Sequence, residues 1–275
     1  MSAHRLLALL ATMTAGGCDY FAPPDPLKLD PDVISIAMVL VAGESHAQLL
    51  VGHPHRAASG APPDVTASLI APGWRFPFSY TTDAEEGCGG GPTSWSFPMI
   101  CLNASLPEPI REGVTYRLEG DGPRGSFTGE TVIPFAPLIL DPGDTVRLHR
   151  PADSSGWFRI PIRYRASPEV GTLRPEMFGT LRNSSGPGSR WIHVNPRALN
   201  VEDRTDTLSI SAYDERRIVK GSMHLLGIGW HYTRFRRSSR TRFPWPSFGL
   251  TGDGVYGYFD GSAKSRRFQV IVEER

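Results

Sequence analysis

Short runs of alternating apolar and polar residues, each cut off by glycine or proline, recur along this chain and constrain its fold more than any other feature. Val33 to Val41 puts Ile34, Ile36, Met38 and Leu40 in one alternating set, with Ser35 and Ala37 in the other. Ala47 to Val51 follows the break Gly43-Glu44-Ser45, and Val65 to Ile70 is ended by Pro72-Gly73. Val114 to Glu119 alternates, and Ser126 to Ile133 runs into Pro134. Further on, Thr145 to His149, Trp157 to Arg165, Arg190 to Val194, Asp206 to Tyr213 and Arg266 to Val272 alternate or run apolar. A period of two turns every second side chain to one face, as a half-buried strand requires. The 29 glycines and 25 prolines argue for many turns and few long helices. Together these features predict a mostly β protein built from two immunoglobulin-like β-sandwich domains.

Pro134-Phe135-Ala136-Pro137 reads as the boundary between them, giving a sandwich over residues 33–135 and a second β-rich domain over 136–275. Pro161, inside the Trp157 to Arg165 run, predicts an edge position or a bulge, because proline cannot donate to a ladder. One short helix is expected, Asp214 to Leu226, with Asp214 as cap and Ile218, Ser222 and Leu225 on one face. Gly227 and Gly229 would end it.

The N-terminus has the three parts of an export signal. His4 and Arg5 are positive, Leu6 to Met13 is apolar, and small residues lead to Cys18. Spanning a bilayer takes about 20 apolar residues, so this core reads as a signal peptide over residues 1–17. Ala15-Gly16-Gly17-Cys18 reads as a lipobox, with cleavage before Cys18 and lipid on its thiol. Diacylglycerol plus an amide-linked acyl chain exceeds the two signals that stable attachment needs. Residues 18–32, rich in proline at Pro23, Pro24 and Pro26, read as an extended tether.

With Cys18 lipidated, Cys88 and Cys101 remain, and the Gly-rich segment between them is flexible enough to close a loop. In an oxidising compartment they are expected to pair, which stabilises by roughly 3 kcal/mol for a loop of this size. Charge is balanced, 29 basic against 28 acidic side chains, so no overall field favours nucleic acid or an anionic membrane.

Catalytic constellations are hard to find. His46, His53 and His55 are close in sequence but lack a carboxylate or thiol at ligand spacing, so a polar loop is the simpler reading than a metal site. Gly125-Ser126-Phe127-Thr128-Gly129 misses the glycine spacing of a nucleophile elbow. Asp141, Asp144 and Asp153 surround an ordinary Pro-Gly turn. No catalytic, cofactor-binding or metal-binding residue is assigned.

The sharper feature is residues 216–243. Arg216, Arg217, Lys220, Arg234, Arg236, Arg237, Arg240 and Arg242 occur there without an acidic residue, interleaved with Trp230, Tyr232, Phe235 and Phe243. Arginine beside aromatic rings suits carboxylate or phosphate on a partner. A solvated loop pairing with Asp203, Asp206 and Glu215 is the competing reading.

In order of features the chain resembles the bacterial envelope lipoproteins of domain of unknown function 4249. The motifs are the lipidated cysteine, the strand Val33-Ile34-Ser35-Ile36 and the threonine-rich close Thr128 to Pro134. Leu208 to Asp214, Phe243 to Phe248 and the glycine signature Thr251-Gly252-Asp253-Gly254-Val255-Tyr256-Gly257 complete the pattern. Asp253 interrupts that signature. The resemblance implies an envelope lipoprotein, often beside outer-membrane receptors for nutrient uptake, and supplies no catalytic residues. The expected function is therefore a non-enzymatic accessory or binding protein, with a structural or adhesive lipoprotein contacting glycan or lipopolysaccharide second and an envelope hydrolase third.

Overall fold

A computed structural model describes residues 32–52, 64–80, 99–149, 158–183, 186–192, 194–195, 205–210, 218–238 and 246–273. The signal, Cys18, most of the tether, Cys88, His53, His55 and Asp153 lie outside the described residues. So do Asp203, Glu215, Arg216, Arg217, Arg240, Arg242 and Phe243.

Among the described residues the chain forms twenty strands and one helix, so the mostly β, sandwich-like class is correct. Its centre is an 11-stranded sheet. That sheet contains β1 (Ile34–Val41), β2 (His46–Gly52), β5 (Ser79–Tyr80), β6 (Met99–Ser105), β10 (Thr145–His149), β12 (Val170–Asn183) and β13 (Gly186–Ile192). Its remaining members are β16 (Ile218–Gly229), β17 (Ser247–Phe248), β19 (Val255–Lys264) and β20 (Phe268–Glu273). A 5-stranded sheet holds β3 (Thr66–Ala71), β4 (Trp74–Pro77), β7 (Thr115–Gly122), β8 (Gly125–Val132) and β18 (Leu250–Thr251). A 4-stranded sheet holds β9 (Leu138–Asp141), β11 (Phe158–Arg165), β14 (Val194–Asn195) and β15 (Thr205–Ile210). The helix, α1, is Trp230–Ser238.

The central sheet forks, and the reason is β16. A strand has two edges. Twelve residues of β16 span about 40 Å at an ordinary strand rise. β12 pairs along it from Leu181↔Ile218 to Val170↔Gly229 and takes up one edge. The other edge is shared: β20 pairs with Lys220 to Met223, and β19 with Leu226 to Ile228. One arm therefore continues through β20 to β10, the other through β19, β1, β2, β6 and β5.

Each arm is covered by its own small sheet, which gives two hydrophobic cores. Ile36, Met38, Leu49 and Phe259 of the long arm meet Leu69, Tyr116, Leu118 and Phe127 of the 5-stranded sheet. Met177, Met223, Leu225 and Phe268 meet Phe158, Ile160, Ile162 and Tyr164 of the 4-stranded sheet. The boundary expected at Pro134 to Pro137 does separate the cores, since Ile133 lies in the first and Ile139 in the second. It does not separate the chain into consecutive halves. Leu250, Val255 and Phe259 return to the first core, and β1 pairs in parallel with β19 from Ile34↔Val255 to Val41↔Ser262. Residues Asp32–Arg275 accordingly form one unit.

The helix expected over Asp214 to Leu226 is corrected. Ile218–Gly229 is strand β16, and the helix begins where that strand ends. On a strand Ser222 and Leu225 face opposite sides, so the shared helical face does not exist. Gly227 and Gly229 belong to the strand rather than stopping a helix. Pro161 faces Thr207 of β15 in a stretch of β11 that β9 does not reach, which leaves its missing N–H without a ladder to break. No helix among the described residues is long and apolar enough to cross a membrane.

Candidate contact face on the helix

α1 starts directly from β16, and its first turn has a capping problem. The residue before it, Gly229, has no side chain with which to satisfy the free N–H groups of the first turn. The cap comes from another strand. Asp260 on β19 is 1 % exposed, and its Oδ2 accepts from the Tyr232 N–H at 2.7 Å. Its Oδ1 accepts from the Gly261 N–H at 2.8 Å and the Thr131 hydroxyl at 3.4 Å. A Cβ on Gly229 would overlap Asp260 Oδ1, so the strand must end in glycine for the carboxylate to reach the helix. The first turn of α1 carries no acidic residue of its own. Asp260 supplies the negative charge that the positive end of the helix dipole favours. Burial nevertheless pushes its carboxyl above the usual carboxylate range, and the two N–H donors, His231 and Thr131 oppose that rise.

The inner side of α1 is fixed by packing. Phe235 is buried, with its ring centroid 4.8 Å from that of Tyr258, and Tyr232 meets Tyr258 edge-on at 5.2 Å. Burial raises the Tyr258 hydroxyl well above its ordinary range, with Tyr232 and Asp260 adding to the shift. Thr233 Oγ1 donates to the Gly229 carbonyl at 2.9 Å. That leaves Thr172 as the donor in the 2.6 Å hydroxyl pair between them, which ties the helix to β12.

The outer side is basic and aromatic. Trp230, Arg234 and Arg237 recur at i, i+4 and i+7, so they share one face. Trp230 is 40 % exposed, while its Nε1 donates to the Pro168 carbonyl at 2.9 Å. Arg234, Arg236 and Arg237 are exposed. The Arg236 guanidinium lies 5.9 Å from the Tyr232 ring centre and donates to its hydroxyl at 3.3 Å. Arg236 and Arg237 occupy the last turn, where cations complement the helix dipole. None of the three forms an ion pair among the described residues.

Of the arginine–aromatic segment, the helix therefore brings Trp230, Arg234 and Arg237 onto one face, with Arg236 on the flank beside Tyr232. Lys220 is exposed but sits ten residues earlier on β16, about 30 Å away at strand rise, so the run is not one patch. Asp260 was not singled out by sequence reasoning. Its only signal is a lone acid in the apolar, glycine-containing stretch Tyr256 to Ala263.

Elsewhere, His46 is exposed beside Glu44. Asp144 pairs with Arg266, whose guanidinium also holds the carbonyls of Pro142 and Gly143. Cys101 is disulfide-bonded, and it is 9 % exposed on β6. Buried His224 and half-buried Glu176 sit 3.3 Å apart between β16 and β12, with Arg174 2.9 Å from the same carboxylate. Burial pushes Glu176 up, but His224, Arg174 and Lys264 together outweigh it and hold the carboxyl below its usual range.

No protein-family model matches the chain, and no curated protein matches it. Among solved structures it is similar to the D0-D1 domain of intimin, at 5% identity over 86% of this chain and 97% of that one, with a TM-score of 0.21. It is also similar to the FN1-FN3 domains of chicken CNTN1, at 10% identity, 88% and 65% coverage and a TM-score of 0.20. Pullulanase from Anoxybacillus sp. LM18-11 matches at 10% identity over 70% of this chain and 24% of that one, with a TM-score of 0.20. Likeness at these TM-scores bears on neither substrate nor partner.

Proposed function

We propose that the chain is a lipid-anchored, non-enzymatic envelope protein that binds an acidic protein partner through the outer face of α1. The observation that carries this is the contrast between the two sides of the helix. The inner side is locked by the Asp260 cap and the Tyr258–Phe235–Tyr232 cluster, while the outer side presents Arg234 and Arg237, with Arg236 on the flank over Tyr232, all three without ion pairs among the described residues. A rigid helix loses little entropy when it is recognised, and arginine beside tryptophan is the composition that interface centres favour. The lipobox at Cys18 and the resemblance to envelope lipoproteins support the compartment, and an outer-membrane receptor is the partner class they imply.

The test is affinity capture from native membranes with the wild-type chain and the variant R234S/R236S/R237S. The wild type should retain a partner that the variant loses, with nearly unchanged Tm, and retention should weaken as salt rises. Equal capture by both chains overturns the reading.

A further inference from the structure

A second basic face lies on the other core, away from the sequence run that drew attention first. β11 alternates buried and exposed along its whole length. Phe158, Ile160, Ile162 and Tyr164 enter the second core, and Arg159, Pro161, Arg163 and Arg165 face out. The three arginines span about 20 Å in a line at ordinary strand rise. None forms an ion pair among the described residues. The neighbouring positions add little bulk. On β15, Ser209, Thr207 and Thr205 stand opposite Arg159, Pro161 and Arg163. Asp206 stands opposite Ile162 in the register.

On the other side lies β9, the edge of this sheet. Leu138 stands opposite Arg165 and is 52 % exposed. The register then shifts, so that Ile139 stands opposite Tyr164 and Asp141 opposite Arg163, leaving Leu140 unpaired between them and 38 % exposed. Leu138 and Leu140 alternate with buried Ile139 and are both exposed beside the arginine line, with Asp141 as the one acid in the β9–β11 ladder. Cations in a row beside exposed leucines on an edge strand have the chemistry of an interfacial membrane contact. Guanidinium groups meet lipid phosphates, and short apolar side chains enter the headgroup boundary.

We propose that the outer face of β9 and β11 is a docking surface for an anionic phospholipid membrane. This contact goes beyond the partner face on α1 and does not depend on acylation. It would orient the domain on the bilayer instead of leaving it to swing on a tether.

The experiment uses the full chain carrying Cys18→Ser, so that no acyl chain contributes, and measures co-sedimentation with vesicles. Vesicles of phosphatidylcholine alone are compared with vesicles containing phosphatidylglycerol. Binding is expected only to the second and should fall with salt. Each arginine near an anionic surface contributes about a fivefold change in partitioning, so R159S/R163S/R165S should weaken binding about a hundredfold. R159K/R163K/R165K should keep most of it, which separates charge loss from misfolding if the serine variant fails to fold. L138W should give an indole emission that shifts to the blue on adding anionic vesicles. R234S/R236S/R237S, on the partner face, should partition like the parent chain, so the two readings can fail separately. No binding to anionic vesicles, an unshifted L138W emission, or binding that follows the α1 arginines instead of the β11 line overturns the proposal. Capture of an acidic protein by the β11 face without vesicle binding overturns it as well.

Discussion

Replacing Asp260 with alanine tests the account of how α1 is held. The substitution removes one acceptor group shared by three donors, the N–H groups of Tyr232 and Gly261 and the hydroxyl of Thr131. A buried donor left without a partner costs about 1–3 kcal/mol, while a lost helix cap costs about 1 kcal/mol. The cap and the Tyr232 N–H are the same interaction, so the terms overlap and the expected loss is about 2–5 kcal/mol. Urea unfolding at neutral pH, followed by tryptophan emission, should give a lower midpoint with an unchanged slope. A loss under about 1 kcal/mol would refute the capping role. The pH dependence adds a second check. Burial places the folded-state pKa of Asp260 above its ordinary 3.8, so the folded chain holds this proton more tightly than the unfolded one. The stability it contributes is fully present below 3.8 and is lost as pH rises through the raised folded value. Asp260→Asn cannot titrate there. Wild-type stability minus that of the Asn variant should therefore decrease as pH rises across the window. Glu44 and Glu176, held below their usual range, act in the opposite sense in both chains and cancel. A difference that stays flat or grows with pH contradicts the assigned burial.

Three further outcomes are expected. Gly257 has φ +119° and its Cβ would overlap the Ile36 carbonyl, so Gly257→Ala should break the β1–β19 pairing and remove the cooperative thermal transition. An unaltered Tm would show that the backbone relaxes there at no cost. Non-reducing peptide mapping should recover Cys101 crosslinked to Cys88, and finding Cys88 as a free thiol contradicts that pairing. Metabolic labelling with an alkyne fatty acid should mark the wild type and spare Cys18→Ala, while equal labelling of both would remove the anchor.

The sequence by itself determined the strands that are buried on one face only. In β2, β7, β8, β11 and β20 the alternation of side chains matches the alternation of environments, so a period of two could be read directly. What failed is β16, because it is buried on both faces from Gly221 to Gly229 apart from partial exposure at Ser222 and Leu226. A strand flanked on both edges and covered on both faces loses its period, and Ile218, Ser222 and Leu225 then imitate a helical spacing. β19 was hidden in the same way, its glycines read as a signature and its Asp260 as nothing. The arginines of α1 were legible as a run, since composition is local. Their division was not, because only the switch from strand to helix at Gly229 separates Lys220 from the face carrying Arg234 and Arg237. Asp260 reaches a donor on Thr131, 129 residues away, and one on Tyr232, 28 residues away. Contacts of that range leave no periodic trace in a chain, so only the tertiary structure could decide which carboxylate caps the helix.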